Sequence, residues 1–311
     1  MPEIYDHTGA PLRHGRARVN GIRMHYVTGG HGEPILLVHG TPKTHFYWYK
    51  LIPRLTEHFT VVAPDLRGFG DTDRPPADEG YDALTNATDL GELMSLLGHE
   101  RFHVHGEDRG AEFAYVLAAT ERKRVKTLSF CEMLLSGDEL EKWSYFTKDN
   151  LSAQFRQQGV WVWHIPFFWI PHIPEMLIAG HEREFWEFWI RAETWNPTAI
   201  TAEAIDEWIA RLMSPGGLRG VLETYRAAFK NARINEELRK DRLTLPVLTV
   251  GAPEFFGPLV KEQMLKVADR VDRAEVFEEC GHSLALEADH RLALEADHRL
   301  ASLLGEFMLS Q

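Results

Sequence analysis

Short apolar runs alternate with helix-like segments, such as HFYWYKLIPRL (45–55), along this 311-residue chain, and this alternation limits the folds available to it. Strands that alternate with helices pair in parallel through helical crossovers, so they form one sheet flanked by helices. The runs typical of buried strands are PILLVHG (34–40), FTVVAPD (59–65), RFHVHG (101–106), VKTLSFCE (125–132), LPVLTVG (245–251) and AEVFEECG (274–281). The pattern predicts an α/β fold with a mostly parallel central sheet, preceded by a hairpin that turns at Asn20-Gly21.

The middle third of the chain departs from this pattern. Residues from about 134 to 230 contain helix-like segments and no run typical of a buried strand. Eight of the nine tryptophans lie between Trp143 and Trp208, so this part is also unusually aromatic. We therefore predict an α/β core formed by residues 1–133 and 231–311, with residues 134–230 inserted as a helical cap domain.

Composition excludes several classes of function. The formal net charge of −12 leaves no basic surplus for binding nucleic acid. No apolar run is long enough to span a membrane, and the first residues do not resemble a signal peptide, so we expect a cytoplasmic protein. Two cysteines are too few for a disulfide framework or a zinc site, and we predict no metal and no cofactor. A homodimer is one option that composition leaves open.

An eight-residue duplication lies near the C-terminus. LALEADHR at 284–291 recurs unchanged at 292–299. Eight residues advance a helix by roughly 800°, so the two copies cannot present the same face. We interpret the repeat as a local tandem duplication in the last helix, with a sequence error as the alternative, and assign it no chemistry.

The segment Gly106-Glu107-Asp108-Arg109-Gly110 lies between a predicted strand and a predicted helix. Its pattern is that of a nucleophile elbow, G-x-S-x-G, with aspartate in the position of serine. Three further segments follow predicted strands: His39-Gly40-Thr41-Pro42, the loop Asp65–Asp71, and Cys280-Gly281-His282. This order predicts Asp108 as a nucleophile and His282 as a base. The backbone N–H groups of Thr41 and Arg109 are predicted to stabilise an oxyanion.

A carboxylate nucleophile favours a particular chemistry. Asp108 is already ionised near neutral pH, so His282 has no proton to remove from it. A carboxylate suits attack on a saturated carbon, which gives an alkyl-enzyme ester. His282 would then activate the water that cleaves the ester. Epoxides and organohalides are the predicted substrates, together with water.

These segments resemble the α/β-hydrolase family, in the branch that contains epoxide hydrolases and haloalkane or haloacetate dehalogenases. The resemblance is carried by HGTP, DLRGFGDTDRP, GEDRGA and CGH over nearly the whole chain. It implies the α/β-hydrolase fold, with the helical insertion as a cap domain. His282 also needs an orienting acid. The resemblance places that acid at Glu132, which we favour, or at Glu254.

The identity of the leaving group depends on further positions. Arg109 resembles the arginine that holds the substrate carboxylate in haloacetate dehalogenases, but Glu112 and Ile165 depart from that pattern. The segments Val162–Phe168 and Glu223–Arg226 resemble the cap of Cif-type epoxide hydrolases. That resemblance implies that His164 and Tyr225 donate hydrogen bonds to an epoxide oxygen.

We therefore expect an epoxide hydrolase that converts a small apolar epoxide to a vicinal diol. The alternative is a haloacid dehalogenase with the same nucleophile. A third hypothesis is a non-catalytic member of the family that binds an apolar ligand or a partner.

Overall fold

The computed structural model describes residues 2–138, 140–144, 163–288 and 298–311. Within these residues, one eight-stranded sheet has the strand order β1-β2-β4-β3-β5-β6-β7-β8. The strands are β1 Arg13–Val19, β2 Ile22–Gly30, β3 Glu33–Val38, β4 Phe59–Pro64, β5 Phe102–Glu107, β6 Val125–Cys131, β7 Val247–Gly251 and β8 Arg273–Val276. Only the pairings of β2 with β1 and β4 are antiparallel in the described sheet. The predicted α/β fold is confirmed.

The N-terminal hairpin forms as predicted. Asn20 and Gly21 connect β1 to β2, and both have positive φ angles, 40° and 82°. A two-residue turn of this kind requires positive φ angles at both positions, which Asn and Gly adopt readily. The hairpin adds two antiparallel strands to the edge of the parallel sheet.

Helices cover the sheet and fill the connection between β6 and β7. In the described residues they are α1 Ile52–Leu55, α2 Ala83–Leu96, α3 Arg109–Thr120, α4 His164–Trp169, α5 Ile173–Ile178, α6 Glu182–Ala192, α7 Ala202–Met213, α8 Gly217–Arg226, α9 Ala228–Leu238, α10 Leu259–Val267, α11 Leu284–Glu287 and α12 Arg299–Leu309. Short 3-10 turns occupy His45–Trp48, Ala77–Glu79 and Leu140–Ser144. None of these helices has the length and hydrophobicity needed to cross a membrane.

The helix-like segment after Thr44 forms two short elements and not one continuous helix. The segment HFYWYKLIPRL forms a 3-10 turn over His45–Trp48 and a single helical turn, α1. The Thr44 side chain caps the 3-10 turn at the N–H of Phe46, 3.3 Å away. The N–H of His45 donates to the Asp65 carboxylate at 2.8 Å. These bonds outside the helical pattern hold the start of the segment in a tighter turn.

Helices α4–α9 lie between β6 and β7, in the region predicted to form the cap. Helix α9 spans residue 230, where the predicted cap ends. The side chains of Phe168, Trp186 and Trp189 are buried in this region. Part of the predicted insertion, 145–162, and most of the duplicated octapeptide, 289–297, lie outside the described residues.

The sheet topology gathers the candidate residues at one edge. Because β3, β5, β6, β7 and β8 run parallel, the loops that follow them leave from the same edge of the sheet. Thr41 follows β3, Asp108 follows β5, Glu132 follows β6 and His282 follows β8. Ligand sites of open α/β sheets lie outside the carboxyl ends of the strands, so the topology places a site here.

Candidate active site

Asp108 occupies a sharp turn between β5 and α3. Its φ and ψ angles of 54° and −136° are unusual for a residue other than glycine. Glycines on either side permit the turn. A Cβ atom on Gly106 would lie 2.4 Å from the carbonyl oxygen of Gly110, and one on Gly110 would lie 2.0 Å from the carbonyl oxygen of Val38. The turn has the geometry expected of a nucleophile elbow.

The Asp108 carboxylate is buried and held by the loop after β3. Its Oδ2 atom accepts hydrogen bonds from the Thr41 backbone N–H at 2.8 Å and the Thr41 hydroxyl at 3.3 Å. Burial opposes ionisation, but His282, Lys43 and Arg109 outweigh it and hold the pKa of Asp108 below its ordinary value. Asp108 is therefore an anion throughout the neutral pH range.

His282 lies between two carboxylates. Its Nε2 atom is 3.7 Å from Oδ1 of Asp108, and its Nδ1 atom is 3.4 Å from Oε2 of Glu132. Burial favours the neutral ring, but the contacts with Asp108 and Glu132 and the charge of Glu193 raise the pKa of His282 to about 10. His282 is therefore protonated at neutral pH while Asp108 is ionised.

Of the two candidate acids, Glu132 is the one in contact with His282. Glu132 is fully buried, and its Oε1 atom accepts a hydrogen bond from the Ala252 N–H at 2.8 Å. Burial raises the pKa of Glu132, against the opposing effect of His282. Glu254 is partly exposed. Within the part of the chain that the structure describes, the carboxylates paired with the His282 ring are those of Asp108 and Glu132.

His164 and Tyr225 contact each other and line the same pocket as Asp108. The Tyr225 hydroxyl is 2.9 Å from Oγ1 of Thr41, and the two aromatic rings are edge to face with centroids 5.5 Å apart. Burial lowers the pKa of His164 to about 3 and raises the pKa of Tyr225 well above its ordinary value. Both side chains are therefore neutral, and each carries a proton that can be donated. Among the described residues, Nδ1 of His164 has no hydrogen-bond partner.

Arg109 directly follows Asp108, but its charge is already paired with a carboxylate. Its Nη1 atom is 3.2 Å from Oε2 of Glu112, and its guanidinium lies over the Tyr225 ring at 5.0 Å. The Glu112 carboxylate also accepts hydrogen bonds from Ser136 N–H, Asn231 and Asn235. Glu112 therefore neutralises Arg109 and holds it against the aromatic ring.

The side chains around Asp108 enclose a cavity of about 30 Å³. It is lined by Asp108, Arg109, Met133, Leu140, His164, Ile165, Trp189, Glu193, Tyr225, Phe255, Phe256 and His282. Most of the lining is apolar, and its charged groups are concentrated near the nucleophile.

Two buried charged residues near the nucleophile were not predicted from the sequence. Burial and the charges of Asp108 and Glu132 raise the pKa of Glu193 to about 7, and its carbonyl oxygen accepts a hydrogen bond from the His282 N–H. Lys43 is 2% exposed, and its ammonium lies 4.4 Å from the centre of the Tyr47 ring. Lys43 directly follows the HGTP segment, so its place near the site could have been predicted from the sequence. Glu193 lies in no recognisable segment.

Comparison with known proteins agrees with this geometry. A family model described as alpha/beta hydrolase fold matches residues 33–158. A soluble epoxide hydrolase from Corynebacterium sp. (strain C12) is 32% identical over 278 residues, which cover 87% of this chain and 91% of that protein. A fluoroacetate dehalogenase from Burkholderia sp. is 28% identical over 215 residues, 67% of each chain. The crystal structure of wild-type Cfl2 from Burkholderia cenocepacia matches with a TM-score of 0.86 and 31% identity, covering 99% of both chains. The chain belongs to the α/β-hydrolase family and is a hydrolase.

Proposed function

We propose that the chain is an epoxide hydrolase that forms a covalent ester on Asp108. The observation that carries this proposal is a neutral donor beside an ionised nucleophile. The Tyr225 hydroxyl contacts Thr41, and the Thr41 N–H holds the Asp108 carboxylate. An epoxide oxygen needs a proton as its bond to carbon breaks, whereas a departing halide does not. The Corynebacterium relative named as a soluble epoxide hydrolase agrees with this assignment.

In the first step, Oδ1 of Asp108 attacks an epoxide carbon. We assign the attack to Oδ1 because Oδ2 is engaged by the Thr41 N–H. The carbon–oxygen bond of the epoxide breaks, and Tyr225 gives its proton to the oxygen that is released. His164 donates a second hydrogen bond to the same oxygen. The products of the step are an alkyl ester on Asp108 and a tyrosinate.

In the second step, water cleaves the ester. His282 takes a proton from the water as its oxygen attacks the ester carbonyl carbon, and the N–H groups of Thr41 and Arg109 stabilise the oxyanion. The ester oxygen leaves with a proton from His282, completing the diol. The carboxyl group of Asp108 then gives its proton to His282, which restores the starting pair of an anionic Asp108 and a protonated His282.

The charge on His282 follows the state of Asp108. Contact with the ionised Asp108 is one of the causes that raise the pKa of His282. Ester formation neutralises Asp108 and removes that cause, so the pKa of His282 falls. His282 therefore gives its proton to the tyrosinate of Tyr225 before water attacks, which restores the Tyr225 hydroxyl and leaves a neutral base. Glu132 keeps the ring oriented throughout.

Dehalogenation of a haloacid is the second candidate function. The fluoroacetate dehalogenase relative and the presence of Arg109 in the cavity favour it. Recognition of a haloacid carboxylate requires a cation that is not already neutralised. Glu112 is 3.2 Å from Arg109 and is buried with it, so a second carboxylate at Arg109 would meet a neutralised partner. We therefore rank epoxide hydrolysis first.

A substrate panel separates the candidates. Wild-type protein, Asp108→Asn and Tyr225→Phe are each incubated with aryl and alkyl epoxides and with fluoroacetate and chloroacetate, and diol and free halide are measured. We expect diol from the wild type, none from Asp108→Asn, and a rate for Tyr225→Phe reduced by roughly 10²–10⁴. Halide release without diol formation would assign the site to dehalogenation. Absence of both products would favour the non-catalytic hypothesis.

A further inference from the structure

Three histidines from separate parts of the sequence meet at the edge of the sheet. His14 lies in β1, His25 lies in β2, and His45 begins the 3-10 turn after β3. Nδ1 of His14 is 2.9 Å from Nε2 of His25. One ring nitrogen from each of the three residues lies within 4.8 Å of the others. None of the three lines the cavity at Asp108.

Asp65 sets the orientation of the two buried rings. Its Oδ2 atom is 2.7 Å from Nδ1 of His25, and its Oδ1 atom is 2.9 Å from Nδ1 of His45. Because an ionised carboxylate only accepts hydrogen bonds, each ring must donate its Nδ1–H. In the neutral rings, the Nε2 atoms of His25 and His45 then remain as acceptors. This carboxylate–imidazole arrangement is the one that usually supports metal-binding histidines.

His45 leaves one of these acceptors without a partner. The residue is 1% exposed, and among the described residues its Nε2 atom has no hydrogen-bond partner. Burial of a polar nitrogen without a partner costs free energy, so the position favours a ligand that can accept its lone pair. The adjacent His14 is exposed, which leaves the cluster open to solvent on one side.

We propose that His14, His25 and His45 bind a divalent transition-metal ion of the zinc class, with Asp65 as the outer carboxylate. Imidazole nitrogen suits zinc, copper and nickel. In a tetrahedral site with metal–nitrogen distances of about 2.0–2.1 Å, the ligand nitrogens are roughly 3.4 Å apart. The ion would take the place of the proton between His14 and His25. Rotation of the exposed His14 ring and a small shift of His45 would bring the nitrogens to that spacing.

The surroundings of the cluster leave room for a fourth ligand. A surface depression lined by Glu3, His14 and Arg16 opens beside it. Glu3 is exposed and could supply a carboxylate oxygen, or water could fill the position. The positive charge of Arg16 opposes cation binding, but Arg16 is ion-paired with Asp71 at 3.7 Å.

The ion would have a structural effect. It would join the N-terminal hairpin to the turn at His45–Trp48, which begins four residues after Thr41. The turn is already tied to Asp65 by the His45 N–H at 2.8 Å. A ligand that binds only the folded chain stabilises it, so the ion should raise the melting temperature.

Zinc titration of tag-free, chelator-stripped full-length protein tests the site. Isothermal titration with zinc chloride compares wild type, His14→Ala and His31→Ala. His31 is also exposed and lies outside the cluster, so it is the matched control. We expect one zinc per chain in the wild type and in His31→Ala, and an affinity at least about 10-fold weaker in His14→Ala. Epoxide turnover should be unchanged in His14→Ala.

X-ray absorption at the zinc edge identifies the ligands. The wild-type complex should give three nitrogen neighbours at about 2.0–2.1 Å. Equal affinity in wild type and His14→Ala would assign the zinc to other histidines and overturn the proposal. Absence of stoichiometric zinc binding would also overturn it and leave the cluster as a hydrogen-bonded network around Asp65.

Discussion

At the residue scale, the central feature is a buried carboxylate that stays ionised. Burial alone would favour protonated Asp108, but His282 and the nearby cations Lys43 and Arg109 outweigh that effect and lower its pKa. Lys43 contributes to this effect, and its ammonium lies 4.4 Å from the centre of the Tyr47 ring. In the proposed mechanism this carboxylate is the nucleophile, and no separate base is needed to generate it.

Substitution of Glu132 tests its proposed role as the acid that orients His282. Glu132→Gln removes the negative charge 3.4 Å from His282 and should slow ester hydrolysis by roughly 10²–10⁴. Glu254→Gln is the matched control and should keep the wild-type rate. Single-turnover kinetics should show the ester accumulating only in Glu132→Gln. The opposite pattern, with Glu254→Gln impaired and Glu132→Gln active, would assign the acid to Glu254.

At the element scale, the elbow depends on close contact between backbones. The first turn of α3 packs directly against β3, and Gly110 is the residue at the contact. The hydrogen bond from the Ala111 N–H to the Asp108 carbonyl oxygen, 2.8 Å long, fixes the start of the helix. The orientation of Asp108 is therefore a consequence of how a strand, a turn and a helix pack.

Two glycine substitutions test this packing. Gly110→Ala places a Cβ atom 2.0 Å from the carbonyl oxygen of Val38. Because this oxygen belongs to the backbone and cannot readily shift, we expect a loss of at least about 2 kcal/mol in stability. Gly305→Ala in α12 meets nothing within 4 Å and should add about 0.5–1 kcal/mol. Thermal unfolding of both variants checks the signs. A neutral Gly110→Ala would contradict the close contact.

The elements differ in how well the sequence predicts them. Buried strands and the Asn20-Gly21 hairpin follow from local patterns, because hydrophobicity and turn conformation are local properties. The segment after Thr44 has a helix-like pattern and instead forms a 3-10 turn and one helical turn, because the His45 N–H bonds to Asp65 in the loop after β4. A contact of this kind is set by the tertiary fold and leaves no local pattern.

At the scale of the whole molecule, the residues of the candidate sites also differ in how well the sequence predicts them. Asp108 and His282 could be predicted because each follows a strand in a recognisable segment. Glu193 enters the cavity from the end of α6, with no segment to mark it. The cluster of His14, His25 and His45 combines two strands and a turn, so its spacing resembles no linear metal-binding motif. The prediction of no metal followed from the two cysteines alone, so it took no account of these histidines.

The charge network also makes stability depend on pH. The pKa of His282 is about 10 in the folded chain and ordinarily 6.5, so its stabilising contribution is complete below pH 6.5 and is lost as the pH rises towards 10. The difference in melting temperature between wild type and His282→Gln should therefore shrink from pH 6 to pH 9. Calorimetry at several pH values measures it. A difference that stays constant would mean that His282 gains no proton affinity on folding.

Isotope labelling distinguishes a covalent ester on Asp108 from direct attack of water on the epoxide. Excess enzyme is allowed a single turnover of an epoxide in ¹⁸O-water, and the diol and the peptide containing Asp108 are analysed by mass spectrometry. We expect a diol without label and one ¹⁸O atom in Asp108, because water attacks the ester carbonyl carbon. A diol that carries ¹⁸O, with unlabelled Asp108, would show direct attack of water on the epoxide and contradict the account.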